Sequence, residues 1–300
     1  MSDANNFDFE PFMTWYTQPG TPTISIVSNY DEGSQRLSVE VQQLNEYDYL
    51  LPLNYALLDA EGAIFKQGVL NINQKNQTFV FDDVDSEPTA SWLRGFSAPV
   101  NLLTDLDFKQ KIFLVGHEED AFSVWDNAQQ IWLSLIMTPD KVDEDLFFDA
   151  IEKVIKDTED KSLISEILTL PSERFMHQQV DVIDVFDIHQ KREMVIKKIL
   201  NRFESLLLET YYSLINDGNY ELTPEAVGQR SLKNICLYYL SKGQHIDLAN
   251  SQFNNATCMS EQIAVFNALL GTDNQYQDLA KSSFYQTFKE DVQVMDKLHY

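Results

Sequence analysis

The hydrophobic period of this chain switches once along its length, and a chain that switches period must bury its two parts in different kinds of layer. Through about residue 100 the apolar residues recur at every second position. Leu37-Ser38-Val39-Glu40-Val41 alternates cleanly, Thr23-Ile24-Ser25-Ile26-Val27 does so too, and Leu51, Leu53, Tyr55 and Leu57 continue the pattern to Phe79 and Phe81. Turn-forming clusters separate these runs, at Asn29-Tyr30-Asp31-Glu32-Gly33-Ser34 and Asp59-Ala60-Glu61-Gly62. Short alternating strands with turns at this spacing predict an antiparallel, Ig-like β-sandwich, with Ser38, Glu40 and Gln42 facing water.

From about Asp120 the period becomes three to four. Phe122, Trp125, Ala128, Gln129, Ile131, Trp132 and Leu135 form one helical face, ended by Pro139. Asp143 to Lys156 predicts a second helix, Ser162 is placed to cap a third that stops at Pro171, and the longest runs from about Ile188 to Asn216. Asp217-Gly218-Asn219 is its stop signal, and Thr223-Pro224-Glu225-Ala226 starts the next with a Thr cap and Pro in the first turn. Helices joined by short polar links predict an α-superhelix or bundle of stacked antiparallel pairs. The expected division is a tail at 1–14, a sandwich at 15–108 and a helical domain at 109–300.

Three hundred residues, 44% of them hydrophobic, suffice for two cores. With 22 Lys and Arg against 47 Asp and Glu, the net charge of −25 repels phosphate backbones and anionic membrane surfaces, so neither nucleic acid nor membrane is an expected partner. The first residues, Met1-Ser2-Asp3-Ala4-Asn5-Asn6, lack a basic and an apolar signal region, and the expected location is cytoplasmic. Asn76-Gln77-Thr78 and Asn255-Ala256-Thr257 match the glycosylation sequon by chance on this reading.

Chemistry-bearing constellations are missing. A zincin helix needs two His one turn apart with Glu beside the first. His117-Glu118-Glu119-Asp120 starts that way, but Ala121 stands where the second ligand belongs. His189, amid Asp184, Asp187 and Glu193, is the next candidate; His177, His245 and His299 have no partner at metal-ligand spacing. Cys236 and Cys258 make no disulfide framework and read as small apolar packing. No Gly-x-Ser-x-Gly elbow or Gly-rich phosphate cradle occurs. The acidic runs Asp82-Asp83-Val84-Asp85 and Asp157-Thr158-Glu159-Asp160 read as solvated loops; the second lacks the spacing and Gly of an EF-hand. Trp92, Trp125 and Trp132 read as core, with Trp15 at a domain junction. No catalytic, cofactor-binding or metal residue is therefore assigned.

Several segments nevertheless carry a resemblance. Trp15-Tyr16-Thr17-Gln18-Pro19-Gly20-Thr21-Pro22, Gln77-Thr78-Phe79-Val80-Phe81-Asp82 and Ala90-Ser91-Trp92-Leu93-Arg94-Gly95-Phe96-Ser97-Ala98-Pro99-Val100 are followed by Phe122-Ser123-Val124-Trp125-Asp126 and Glu166-Ile167-Leu168-Thr169-Leu170-Pro171-Ser172. Arg230-Ser231-Leu232-Lys233-Asn234 and Val294-Met295-Asp296-Lys297 continue the series. In this order they resemble the C-terminal half of the bacterial aminopeptidase N family, zinc exopeptidases of the gluzincin class. The resemblance implies a parent hydrolase in which a thermolysin-like zinc domain precedes a small sandwich and a large helical domain. In that family zinc is held by a His-Glu-x-x-His helix and a further Glu, and Gly-x-Met-Glu-Asn holds the free amino terminus. None of these motifs stands in this sequence, so no such residue carries over. The implied partners are the missing catalytic domain of the same polypeptide and, for the whole enzyme, peptides with free N-termini; the cofactor is zinc in the parent and none in this chain. The chain alone is expected to be inactive, to brace and enclose the catalytic domain and to limit substrate access, with its helical domain ending early at Tyr300. The resemblance also implies an apolar patch near the sandwich where the zinc domain was, with Phe12, Trp15 and Tyr16 contributing. The alternative reading is a stand-alone protein-interaction module, and a third is an enzyme with an unfamiliar site.

Overall fold

A computed structural model describes residues 10–215 and 220–295, the side chains of residues 10 and 11 excepted. The chain forms two compact units, residues 1–134 with 139–151, and residues 135–138 with 152–300.

Among its described residues the first unit contains seven strands: β1 (Thr23–Asp31), β2 (Arg36–Gln43), β3 (Leu51–Leu58), β4 (Ile64–Ile72), β5 (Asn76–Phe81), β6 (Thr89–Trp92) and β7 (Asn101–Thr104). They form a sheet of order β5-β2-β1-β7 and a second of order β4-β3-β6. Pairing is antiparallel except that β7 runs parallel to β1, with Thr23 opposite Asn101 and Ile26 opposite Thr104. The alternation locates the core. Ile24, Ile26, Val39 and Val41 of one sheet and Leu51, Leu53, Ile72 and Trp92 of the other are buried in one cluster. Alternation also places Gln43 inward, and its amide is fully used there: it donates to the carbonyls of Tyr49 and Gln74 and accepts from the Tyr49 N–H.

β3 breaks the two-residue rule at its end, where Ala56 and Leu58 are buried as well as Tyr55 and Leu57. The helix α2 (Phe108–His117) explains this, because its Leu114 and Phe113 pack on Ala56 and Leu58. A strand covered on both faces loses its polar side. Asp107 starts α2 with a capping box, accepting from the Gln110 N–H while the Gln110 side chain accepts from the Asp107 N–H. The turn after β3 is set by Asp59, which accepts from Glu61 and Ala63, and by Gly62 at φ +89°. A side chain at Gly62 would strike the His117 ring at 2.6 Å, so the glycine is required twice over.

Helix α3 (Ala121–Met137) begins where the Asp120 carboxylate accepts from the Ser123 N–H, and α4 (Glu144–Asp157) follows Pro139. The buried face of α3 is Val124, Ala128, Ile131 and Trp132, so Trp125 is only half-buried, its ring tilted against Phe122 at 5.8 Å. Trp132 is fully enclosed and meets Phe147 edge-on at 4.6 Å.

The second unit holds α5 (Lys161–Leu168), α6 (Glu173–His177), α7 (Val185–Ser213), α8 (Pro224–Ser241), α9 (Ile246–Asn255), α10 (Met259–Leu270), α11 (Gln277–Phe288) and α12 (Val292–Met295). The short α1 (Thr14–Thr17) precedes the sandwich. Helix α8 is the hub, touching α5, α7, α9 and α10. Thr223 caps it and Pro224 opens it, as the sequence requires. The cap of α5 is Asp160, which accepts from Ser162 and Leu163, and not the expected Ser162: a carboxylate two residues earlier takes the free N–H groups first. Helix α7 likewise starts before Ile188, because Asp184 accepts from the Asp187 N–H. The stop signal Asp217-Gly218-Asn219 lies outside the described residues. Among the described residues no helix is long and apolar enough to cross a membrane.

Candidate functional site

His117, His189 and His245 are each engaged in structure, whereas the buried Nε2 of His177 has no hydrogen-bond partner. The His117 Nδ1 hydrogen-bonds the Phe113 carbonyl at 2.9 Å and its ring stacks on Phe113, so it closes the end of α2 against Gly62. His189 meets Glu173 at 2.8 Å on the surface. The acids around it serve elsewhere: Asp184 caps α7, Asp187 pairs with Lys191, and Glu193 pairs with Lys242. His245 pairs with Glu204. His299 lies outside the described residues. Among the described residues no three His, Cys, Asp or Glu side chains gather to hold a metal ion. Of the acidic runs, Asp82 pairs with Arg36, Val84 is core, and Asp160 is the α5 cap.

Two shifted groups meet through an amide. Burial holds the Lys111 ammonium below its ordinary value and the Asp126 carboxyl above its own, and Gln130 bridges them at 2.8 Å on each side. Shifted groups mark candidate sites, but these link α2 to α3 and present no nucleophile, which fits a packing role.

The cysteines separate sharply. Cys236 is wholly buried, which pushes its thiol from the ordinary 9.0 up to about 12, whereas Cys258 is half-buried before α10. Because the folded value lies above the unfolded one, the buried thiol favours the folded state below pH 9.0 and loses that contribution as pH rises towards about 12. A colorimetric thiol reagent at about pH 8 is therefore expected to modify Cys258 in the native chain and Cys236 only after unfolding. Equal rates for both thiols would contradict the packing.

One surface feature stands out at the sandwich. Trp15 is half-buried, edge-on to Tyr49 at 4.9 Å, and its indole N–H donates to the Leu50 carbonyl. This anchors α1 on the core. It leaves Phe12, Met13 and Tyr16 exposed, Tyr16 at 75%, and the loop carrying Tyr49 exposes Leu44 and Tyr47. Trp15 thus belongs to the core edge, correcting its expected place in the bare patch, while Phe12 and Tyr16 are bare. Aromatic residues left in water together mark docking surfaces more often than single exposed ones do.

Residues 108–298 match the family described as "Domain of unknown function (DUF3458_C) ARM repeats", and residues 20–105 match "Domain of unknown function (DUF3458) Ig-like fold". The chain belongs to the DUF3458 family. Among proteins similar to it, aminopeptidase N of Escherichia coli (strain K12) is 30% identical across 99% of this chain, and that of Haemophilus influenzae (strain ATCC 51907 / DSM 11121 / KW20 / Rd) is 29% identical across the same share. The chain spans 37% of the length of each of these relatives. The crystal structure of Legionella pneumophila aminopeptidase A in complex with aspartic acid superposes with a TM-score of 0.89 at 20% identity, over 99% of this chain and 37% of that one, which establishes the shared fold. This DUF3458 chain corresponds to the C-terminal region of aminopeptidase N.

Within the DUF3458 fold, sequence reading missed a buried ion pair. Glu118 is fully buried, receives the Arg94 guanidinium at 3.0 Å and accepts from the Glu119 and Asp120 N–H groups through the same oxygen. Only His117 drew attention there, as part of a false metal motif. A Glu followed by two more acids reads as solvent-facing, and nothing in the local sequence points to an arginine 24 positions earlier.

Proposed function

We propose that this chain is the non-catalytic C-terminal part of a zinc-dependent aminopeptidase N, bracing and enclosing a catalytic domain that removes N-terminal amino acids from peptides. The observation that carries this is the collinear match of 99% of the chain to only 37% of relatives named aminopeptidase N. The bare aromatic cluster at Phe12 and Tyr16 supports it, as the place where the sandwich meets preceding polypeptide. Zinc does not fit the residues described here. His117 and His189 are held by a carbonyl and a carboxylate, and no donor set surrounds either. The metal would belong to the catalytic domain, and this chain supplies no step of the hydrolysis. Its role is to limit substrates to those that thread a free N-terminus into an enclosed chamber, from which bulk water is excluded.

Fusing this chain behind the part of Escherichia coli aminopeptidase N that precedes the matched region tests the proposal. The fusion is expected to cleave alanyl anilide and to spare large folded proteins. Tyr16→Asp with Phe12→Asp should lower activity about tenfold by charging a desolvated contact. Full activity and unchanged size selection after deletion of residues 15–300 would refute an enclosing role.

A further inference from the structure

We infer that the second unit carries a binding site for a small zwitterion, a free α-amino acid, between α8 and the N-terminus of α10. A cavity of about 290 Å³ opens there, at the small end of the range for ligand sites, which starts near ~300 Å³. Its floor is Lys233 of α8 and Glu261 of α10, each nine-tenths buried and paired with the other. Among the described residues Glu261 is the sole partner of the Lys233 ammonium, which has three donors to offer. Arg230, one turn earlier on α8, adds a second cation to the same wall, half-buried and held by the Glu221 carbonyl. The N-cap of α10 is Cys258, whose side chain makes no cap hydrogen bond, so the first-turn N–H groups get nothing from the cap side chain and keep their partial positive charge. Glu225, in the first turn of α8, lines the same cavity and is exposed.

The cavity is thus lined by charges of both signs. A simple anion would be drawn to Lys233, Arg230 and the α10 terminus but repelled by Glu225 and Glu261. A simple cation meets the reverse. A zwitterion satisfies both sides, its carboxylate towards Arg230 and Lys233 and its ammonium towards Glu225. Desolvating a charged floor that is already paired makes the site selective for ligands carrying both charges. This site stands apart from the peptidase reading and does not depend on it.

Titration calorimetry of the full 300-residue chain with L-alanine tests it. Saturable binding in about the millimolar range is expected. N-acetylalanine and alaninamide, each lacking one charge, should bind at least about tenfold more weakly. Arg230→Gln and Glu225→Gln, both on the cavity wall, should each weaken alanine about fivefold or more with an unchanged circular dichroism melt. Lys233→Met should abolish binding, and the two wall variants keep the test decisive where that variant misfolds. No binding at about 50 mM alanine, equal binding of N-acetylalanine, or unchanged affinity in both wall variants would overturn the inference.

Discussion

Arg94→Met is expected to destabilise the strand-bearing unit by about 3–5 kcal/mol, the range for stranding one member of a buried ion pair. The Glu118 side chain has no solvent exposure and Arg94 only 16%, so removing the guanidinium leaves a carboxylate in a place water cannot reach. Its two backbone N–H donors remain, but neither neutralises the charge. Arg94 also fixes a strained turn. Leu93, Gly95 and Phe96 all have positive φ, at 60°, 64° and 50°, and Arg94 holds them in place by reaching Gln67 as well as Glu118. The Gly95 N–H, donating to Asp120, is the second tether. Backbone of this kind persists only where its surroundings enforce it. Glu118→Gln provides the contrast. The amide oxygen still accepts from the backbone and from Arg94, now exposed enough to draw on water, and the loss should be about half as large. Urea melts of both variants check this, and equal effects from the two would contradict a buried, arginine-dependent charge.

Gly228→Val is expected to be the most damaging change in the helical unit. A β-carbon at that position would stand 2.6 Å from the Ser162 Oγ and 2.9 Å from the Ser162 backbone nitrogen, and the second atom cannot swing aside. Helices α5 and α8 would have to separate, and with them the bond from the buried Tyr239 hydroxyl to the Leu168 carbonyl at 2.5 Å. Overpacking typically costs about 1–3 kcal/mol and more where backbone must move; about 4 kcal/mol is expected for valine and about 2 for alanine. Gly116→Ala is the control. Its β-carbon would find the Ala150 methyl at an ordinary 3.7 Å, and α2 should gain about 0.4–1 kcal/mol. Thermal melts showing the two glycines equally sensitive would contradict the packing described.

These contrasts show where sequence reading succeeds. Period and turn chemistry sufficed for the sandwich core of Ile24, Val39, Leu53 and Trp92, and for the Thr223-Pro224 helix start, since each rests on neighbours in sequence. The α5 cap was misplaced because Asp160 and Ser162 are both good caps two residues apart, and only backbone direction decides between them. The double burial of Ala56 and Leu58 needed α2, and the Gly228 contact needed Ser162, 66 positions away. The zwitterion site was illegible for the same reason. Lys233 and Glu261 lie 28 positions apart in a chain with 47 acids, where any carboxylate pairing is lost in the crowd. The family resemblance was legible because its segments are collinear along the whole chain.

The central claim is that this chain is the non-catalytic part of a peptidase. Hydrolysis of an alanyl anilide by the purified chain, with zinc added and bound metal quantified, tests it most directly. The account predicts no turnover and no stoichiometric zinc. Chelator-sensitive turnover with about one zinc per chain, once host peptidase is excluded, would contradict it outright.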